Sequence, residues 1–230
     1  MLSLLCVTSA ALAAPVAHHE FPGVALTVPA GELQLHPLPQ SSYGVTDKVT
    51  VRSAILGLLG GPNAGALVGL FDSEQGVGAV SLDLATTWDL SVVSGTASGL
   101  YTLGDPAHQT LSATVGVGVS RISVADESAM ALSVPVSGTW LRSLNDHSVL
   151  RLYGQLDPLT TVVSRSYNGV LGGEWAYGWD RGRLGLGLVV VRGQVVRDVL
   201  DDAGVDSTWV PVLLPLPTLR LWWCLGGSRA

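Results

Sequence analysis

Apolar and small polar residues alternate with period two along most of this chain, and that alternation confines it to β-strands. From Leu111 the odd positions run Leu, Ala, Val, Val, Val to Val119, and the even positions Ser, Thr, Gly, Gly, Ser to Ser120. Successive strand residues project to opposite faces, so such a segment has one greasy face and one small, polar face. The same reading holds for Val80, Leu82 and Leu84 against Ser81, Asp83 and Ala85, and it places Leu184, Leu186, Leu188 and Val190 on a shared face.

Composition narrows the choice of β fold. The chain is 47% hydrophobic but only 13% charged, against roughly 25% charged in a soluble domain. Outside the N-terminus no uncharged apolar run reaches the ~18 residues of a membrane helix. Apolar residues dispersed at every second position suit an outer-membrane barrel, whose strands turn them to lipid. A length of 230 residues suits one undivided all-β domain. The net charge of −6 argues against a nucleic-acid partner and leaves no basic patch for anionic lipid.

The N-terminus reads as an export signal. Leu2 to Ala13 supplies an apolar core, and Ala11-Leu12-Ala13 offers the small residues for cleavage before Ala14. The expected organisation is a signal peptide at 1–13, a flexible leader at 14–23, a β-barrel at 24–223 and a tail at 224–230. Cys6 leaves with the signal, so Cys224 has no partner for a disulfide or a metal site.

Turn residues divide the barrel. Expected strands are 24–28, 32–38, 48–59, 64–71, 77–88, 110–123, 128–142, 147–153, 159–166, 169–179, 183–196 and 208–223. Pro135 predicts a bulge or local fraying, because proline donates nothing to a ladder. Residues 89–109 and 198–207 read as long loops. The fold class is thus all-β, an antiparallel up-and-down transmembrane β-barrel of about twelve strands, with ten as the alternative. Twelve puts both long loops on the external side and the turns near Thr46 and at 180–182 on the periplasmic side.

Three segments carry a resemblance: Tyr43-Gly44-Val45-Thr46-Asp47-Lys48-Val49, Gly60-Gly61-Pro62-Asn63, and Trp209-Val210-Pro211-Val212-Leu213-Leu214-Pro215. In these the chain resembles uncharacterised outer-membrane β-barrel proteins of Gram-negative bacteria. Leu219, Leu221 and Trp223 look like the terminal strand signal read by the barrel-assembly machinery. The resemblance implies fold, location and the partners of such a barrel, outer-membrane lipid and that machinery, and brings no activity with it.

Parity assigns the candidate site residues. Glu32, Lys48, Arg52, Asp83, Arg151, Glu174, Arg183 and Arg220 fall opposite the apolar stripe, toward a lumen. They form either an anion-favouring pore lining or an ion-pair network filling a narrow barrel, and closely mixed signs favour pairing. Trp88, Trp140, Trp175, Tyr177, Trp179, Trp209 and Trp223 are expected as interfacial aromatics, with Trp222 inward.

Other constellations carry less. Asp146-His147-Ser148 places neighbours on opposite faces unless it is a turn, which disfavours a catalytic pair. His18-His19-Glu20 on a flexible leader is a weak metal binder. Asp198, Asp201, Asp202 and Asp206 lack the spacing of a calcium loop. Gly185 and Gly187 relieve crowding on the lumen face. No cofactor, catalytic residue or resident metal is expected. The functional expectation is a non-enzymatic outer-membrane barrel, either a narrow channel or a structural or surface barrel. The alternatives are a membrane-embedded hydrolase or acyltransferase and a soluble, adhesin-like β-sandwich.

Overall fold

The computed structural model describes residues 16–36, 40–124, 127–161, 165–201 and 204–226. The expected signal peptide at 1–13 lies outside them. Thirteen strands form one antiparallel sheet: β1 (Glu32–Leu35), β2 (Ser41–Thr46), β3 (Val49–Ser53), β4 (Asn63–Ser73), β5 (Gly76–Thr86), β6 (Val92–Asp105), β7 (Gln109–Val124), β8 (Glu127–Ser133), β9 (Val136–Asn145), β10 (Ser148–Thr161), β11 (Arg165–Trp179), β12 (Gly182–Asp201) and β13 (Gly204–Gly226).

Except for β8 and β9, each strand pairs with its sequence neighbours, and β13 closes the ring on β1 through Leu35↔Trp223 and Glu32↔Gly226. β8 and β9 occupy one place between β7 and β10. Both pair with both neighbours, and the register does not shift across Val134-Pro135. The expected fraying at Pro135 is therefore an interruption without a bulge, with Gly116 N–H donating to the Pro135 carbonyl at 2.9 Å. The barrel is closed and twelve-stranded, not a sandwich of two packed sheets.

Its burial is inverted relative to a soluble domain. On β7, Thr110 and Ser112 are 1% exposed, while Leu111 and Val117 are each 54% exposed. Leu82, Leu84, Leu152, Leu171, Leu186 and Leu188 also stand exposed on the outer face, and Arg151, Glu174, Arg183 and Arg220 are buried inside.

Several expected elements differ. Residues 24–28 form no strand. Held between Pro22-Gly23 and Pro29, they send their amides to lumen side chains: Ala25 N–H to Thr102 Oγ1 and Val28 N–H to Thr50 Oγ1, both 2.8 Å. The region 89–109 is mostly β6, whose Ser94, Thr96 and Ser98 are inner-face residues rather than loop polarity. Ser41–Thr46 is a strand, not a turn, and the next strand stops at Ser53, followed by a 3-10 turn at Leu56–Leu59. The expected break at 155–158 falls inside β10. The 198–207 region continues β12 and β13 on either side of 202–203. Residues 224–226 belong to β13 and not to a tail.

Short connections at 47–48, 74–75, 106–108, 146–147 and 180–181 gather at one end of the barrel. The longer connections 54–62 and 87–91 and the tall hairpins lie at the other. The wall is uneven: β1, β2 and β3 have 4, 6 and 5 residues, whereas β10 to β13 have 14, 15, 20 and 23. Above Trp223, β13 pairs with β12 alone among the described residues.

Candidate functional site: a stoppered lumen

The expected flexible leader is buried from Val16 onward. Residues 16–31 cross the lumen near the short-turn end, with Val16, His18, Glu20, Phe21, Val24, Ala25 and Val28 all buried. Apolar side chains alternating irregularly with polar ones suit this place, because the lower lumen offers both kinds of partner. Phe21 meets Trp222 edge to face with ring centroids 6.0 Å apart, in a cluster that holds Val16, Val24, Leu141, Val149 and Ala176.

Glu20 is the residue that fixes the plug, and parity along strands did not assign it because it lies before the first strand. Its Oε2 accepts from Arg183 Nε at 3.0 Å and from Trp222 Nε1 at 2.7 Å, and its Oε1 caps Ala17 N–H at 3.2 Å. Arg151 Nη2 donates to the Pro22 carbonyl at 3.1 Å. Arg220 Nε donates to Glu174 Oε1 at 2.9 Å, and Arg151 Nη1 approaches Glu174 Oε2 at 3.5 Å. The Arg220 guanidinium lies 4.2 Å from the Trp222 ring centroid and 5.0 Å from that of Phe21. Desolvated arginines and glutamates this close hold one another, and their attraction is strongest where water is excluded.

His18 pins the entrance. Its Nδ1 and Nε2 lie 3.1 Å from Thr110 Oγ1 and Ser143 Oγ respectively. Burial lowers its pKa from 6.5 to about 4, with Asp105 opposing and His19 assisting the shift. A neutral imidazole donates at one nitrogen and accepts at the other, and both hydroxyls can complement it. The His18–Ser143 contact lacks an orienting carboxylate on Nδ1, so it serves as a staple rather than a nucleophile–base pair. His19 turns instead to Glu32 at 3.2 Å, which Gln34 Nε2 also contacts at 2.9 Å. The His18-His19-Glu20 side chains thus have separate partners. Gly44 lets the plug return to the wall: a Cβ there would overlap the Val28 and Pro29 carbonyl oxygens, and Gly31 N–H donates to the Gly44 carbonyl at 2.8 Å.

Arg151, Glu174, Arg183 and Arg220 line the lower lumen, with Glu32 at its base. Arg52 forms a two-pronged pair with Asp83 at 2.9 and 2.6 Å. Lys48 does not line the lumen wall, because it lies on the β2–β3 turn and is exposed there. Contacts follow the ion-pair network, with Glu20 supplying the acid the strands lacked. A Cβ at Gly185 would collide with the Glu174 carboxylate, so the glycine does relieve crowding.

Among the aromatics, Trp140, Trp175, Tyr177, Trp179 and Trp223 lie on the outer face toward the short-turn end, with Trp175 and Tyr177 stacked at 5.9 Å. Exposed Tyr43, Phe71 and Tyr101 extend that row around the barrel. Trp88 sits at the opposite end, 66% exposed, donating to the Leu58 carbonyl at 2.9 Å. Trp222 is fully buried, as parity required. The side chains of Trp209, Asp198, Asp201, Asp202 and Asp206 lie outside those described. Residues 146–147 form a turn, with Ser148 buried beside it and His147 N–H on Asn145 Oδ1 at 2.9 Å. No family model, curated protein or solved structure matches the chain.

Proposed function

We propose that this barrel resides in a bacterial outer membrane, carries no catalytic activity, and is stoppered at its periplasmic end by its own N-terminal segment. The observation that carries this is the inverted burial: leucines and valines on the outer face, paired arginines and glutamates inside. A soluble monomer does not leave a contiguous apolar surface of that extent in water, whereas lipid requires it. The row of aromatics at the short-turn end fits a membrane–water boundary, where indole and phenol rings keep one edge wet. On this reading, cleavage before Ala14 places the plug, residues 16–31, at the N-terminal end of the mature chain. Barrel-assembly machinery and outer-membrane lipid are then its partners. The plug favours a closed structural or ligand-holding barrel over an open diffusion channel.

Two measurements test the reading. The protein should fractionate with outer membranes and migrate differently on gels before and after heating, and recovery in the soluble periplasm overturns the location. Refolded protein in planar bilayers should show no steady conductance, and deletion of residues 14–28 should produce steps. Steady conductance from the intact chain overturns the stopper.

A further inference from the structure

Above the plug, the inner face of β11 to β13 changes character. Alternation from the buried Trp222 and Arg220 puts Thr218, Leu216 and Leu214 on the lumen side of β13. The register sets Val189 opposite Leu216 and Val191 opposite Leu214, with Val170 beside Val191. At comparable positions β6 and β7 present Ser94, Thr96, Ser98, Gly116 and Gly118. Leu214 and Leu216 are 49% and 40% exposed and Val191 is half-buried, whereas Val189 is buried, so the plug leaves the upper part of this inner apolar patch uncovered. Apolar surface facing a water-filled lumen gains by being covered.

Farther down β13, Arg220 lines a cavity of ≈ 50 Å³ together with His36, Phe21, Gln34 and Glu20. Arg220 is 9% exposed, and its Nη2 has no hydrogen-bond partner although Glu174 and Trp222 hold the rest of the group. His36 Nδ1, also unpartnered, belongs to a ring stacked on Trp222 at 5.5 Å. Arg220 Nη2 is a buried donor that calls for an acceptor, and His36 Nδ1 can complement either a donor or an acceptor. Glu20 and Glu174 stand close by, so a single negative charge is tolerated better than two. The short strands β1 to β3 make the wall low on the side of this cavity, where His36, Gln40 and Ser42 line it.

We propose that the vestibule above the plug binds an amphiphilic carboxylate, a monoacyl anion whose head meets the Arg220 guanidinium and whose chain lies on Val191, Leu214 and Leu216. The six residue steps from Arg220 to Leu214 span about 20 Å of strand; dodecanoate, about 14 Å when extended, reaches Leu216 from Arg220, and a longer chain reaches Leu214. The small cavity admits only the head, and the apolar patch above receives the chain. This inference rests on the stopper, because Phe21 of the plug forms part of the floor under Arg220.

The test uses the refolded mature chain in phosphatidylcholine nanodiscs, titrated with tritiated dodecanoate against empty nanodiscs. One saturable site per chain is expected. The double variant Leu214→Asn, Leu216→Asn changes only exposed side chains and should weaken binding at least about tenfold, as should Arg220→Lys. Methyl dodecanoate and butyrate should compete poorly, since each lacks one half of the ligand. Binding no greater than in empty nanodiscs, or unchanged in the leucine variant, overturns the proposal. Equal competition by the ester or by butyrate does so too. Because the assay uses refolded protein, its failure leaves the membrane location standing, and periplasmic recovery of the native protein would leave a positive binding result standing.

Discussion

Acidification should loosen the plug, and His18 sets the size of the effect. Docked, its imidazole is 1% exposed and its pKa is lowered to about 4 by burial. Released into water, it returns to about 6.5. The docked form therefore binds fewer protons. Its docking energy is complete above the free value, falls as pH drops through 6.5, and stops falling below about 4. Linkage gives a loss of about 2 kcal/mol at pH 5 and about 3 kcal/mol at pH 4. The amides of Ala25 and Val28 report docking directly, because both bond to wall hydroxyls. Hydrogen-exchange protection of these two amides, corrected for intrinsic rates, should drop about 20-fold between pH 7 and pH 5. In His18→Asn the side chain does not titrate, and the drop should largely vanish. Protection independent of pH in the wild type, or an equal drop in His18→Asn, refutes the assignment.

Three further perturbations separate wall, network and plug. Glu20→Gln removes the charge facing Arg183 inside the lumen, and loss of one partner of a buried pair costs about 3–5 kcal/mol; it should show as a lower unfolding temperature and protease access to residues 16–28. Val117→Arg puts a charge on the outer face halfway up β7 and should lower refolding stability in lipid by about 2–4 kcal/mol, an effect that a water-facing position would not produce. Gly44→Ala drives a methyl into the Val28 and Pro29 carbonyls and should release the plug without dissolving the barrel, so that proteolysis of 16–28 increases while heat-dependent gel mobility is retained.

The wall was legible in the sequence wherever its outer face is large and apolar, as on β5, β7 and β12. Strands with small residues on both faces were not: β6 reads as loop because Ser94, Gly95, Thr96, Ala97, Ser98 and Gly99 offer almost no contrast between faces. The total of twelve survives because errors offset. β2 and β6 replace the expected strand at 24–28 and the division of β10. Strand pairing is a contest between neighbouring segments, and a five-residue apolar run next to proline loses it when lumen hydroxyls can take its amides.

The plug was hidden for a different reason. Strand parity identifies Arg151, Glu174, Arg183 and Arg220 as lumen residues without reference to any partner, because the covalent alternation of the chain fixes their face. Glu20, Phe21 and His18 have no such periodicity. Their positions follow from side chains on strands 92 to 202 residues distant in the chain, and no local pattern encodes them. One signal was available in principle: the strand charges named from parity are five basic and three acidic, four against three once Lys48 is set on its turn, in a narrow lumen where an unpaired arginine is costly. That imbalance calls for an acid from outside the strands, and the segment His18-His19-Glu20 supplies it. The same reasoning applies to what remains open at Arg220, where Nη2 still lacks an acceptor after every described side chain has been placed. A lumen that draws in its own segment 16–31 to satisfy one set of arginine donors has the chemistry to hold a carboxylate with the other.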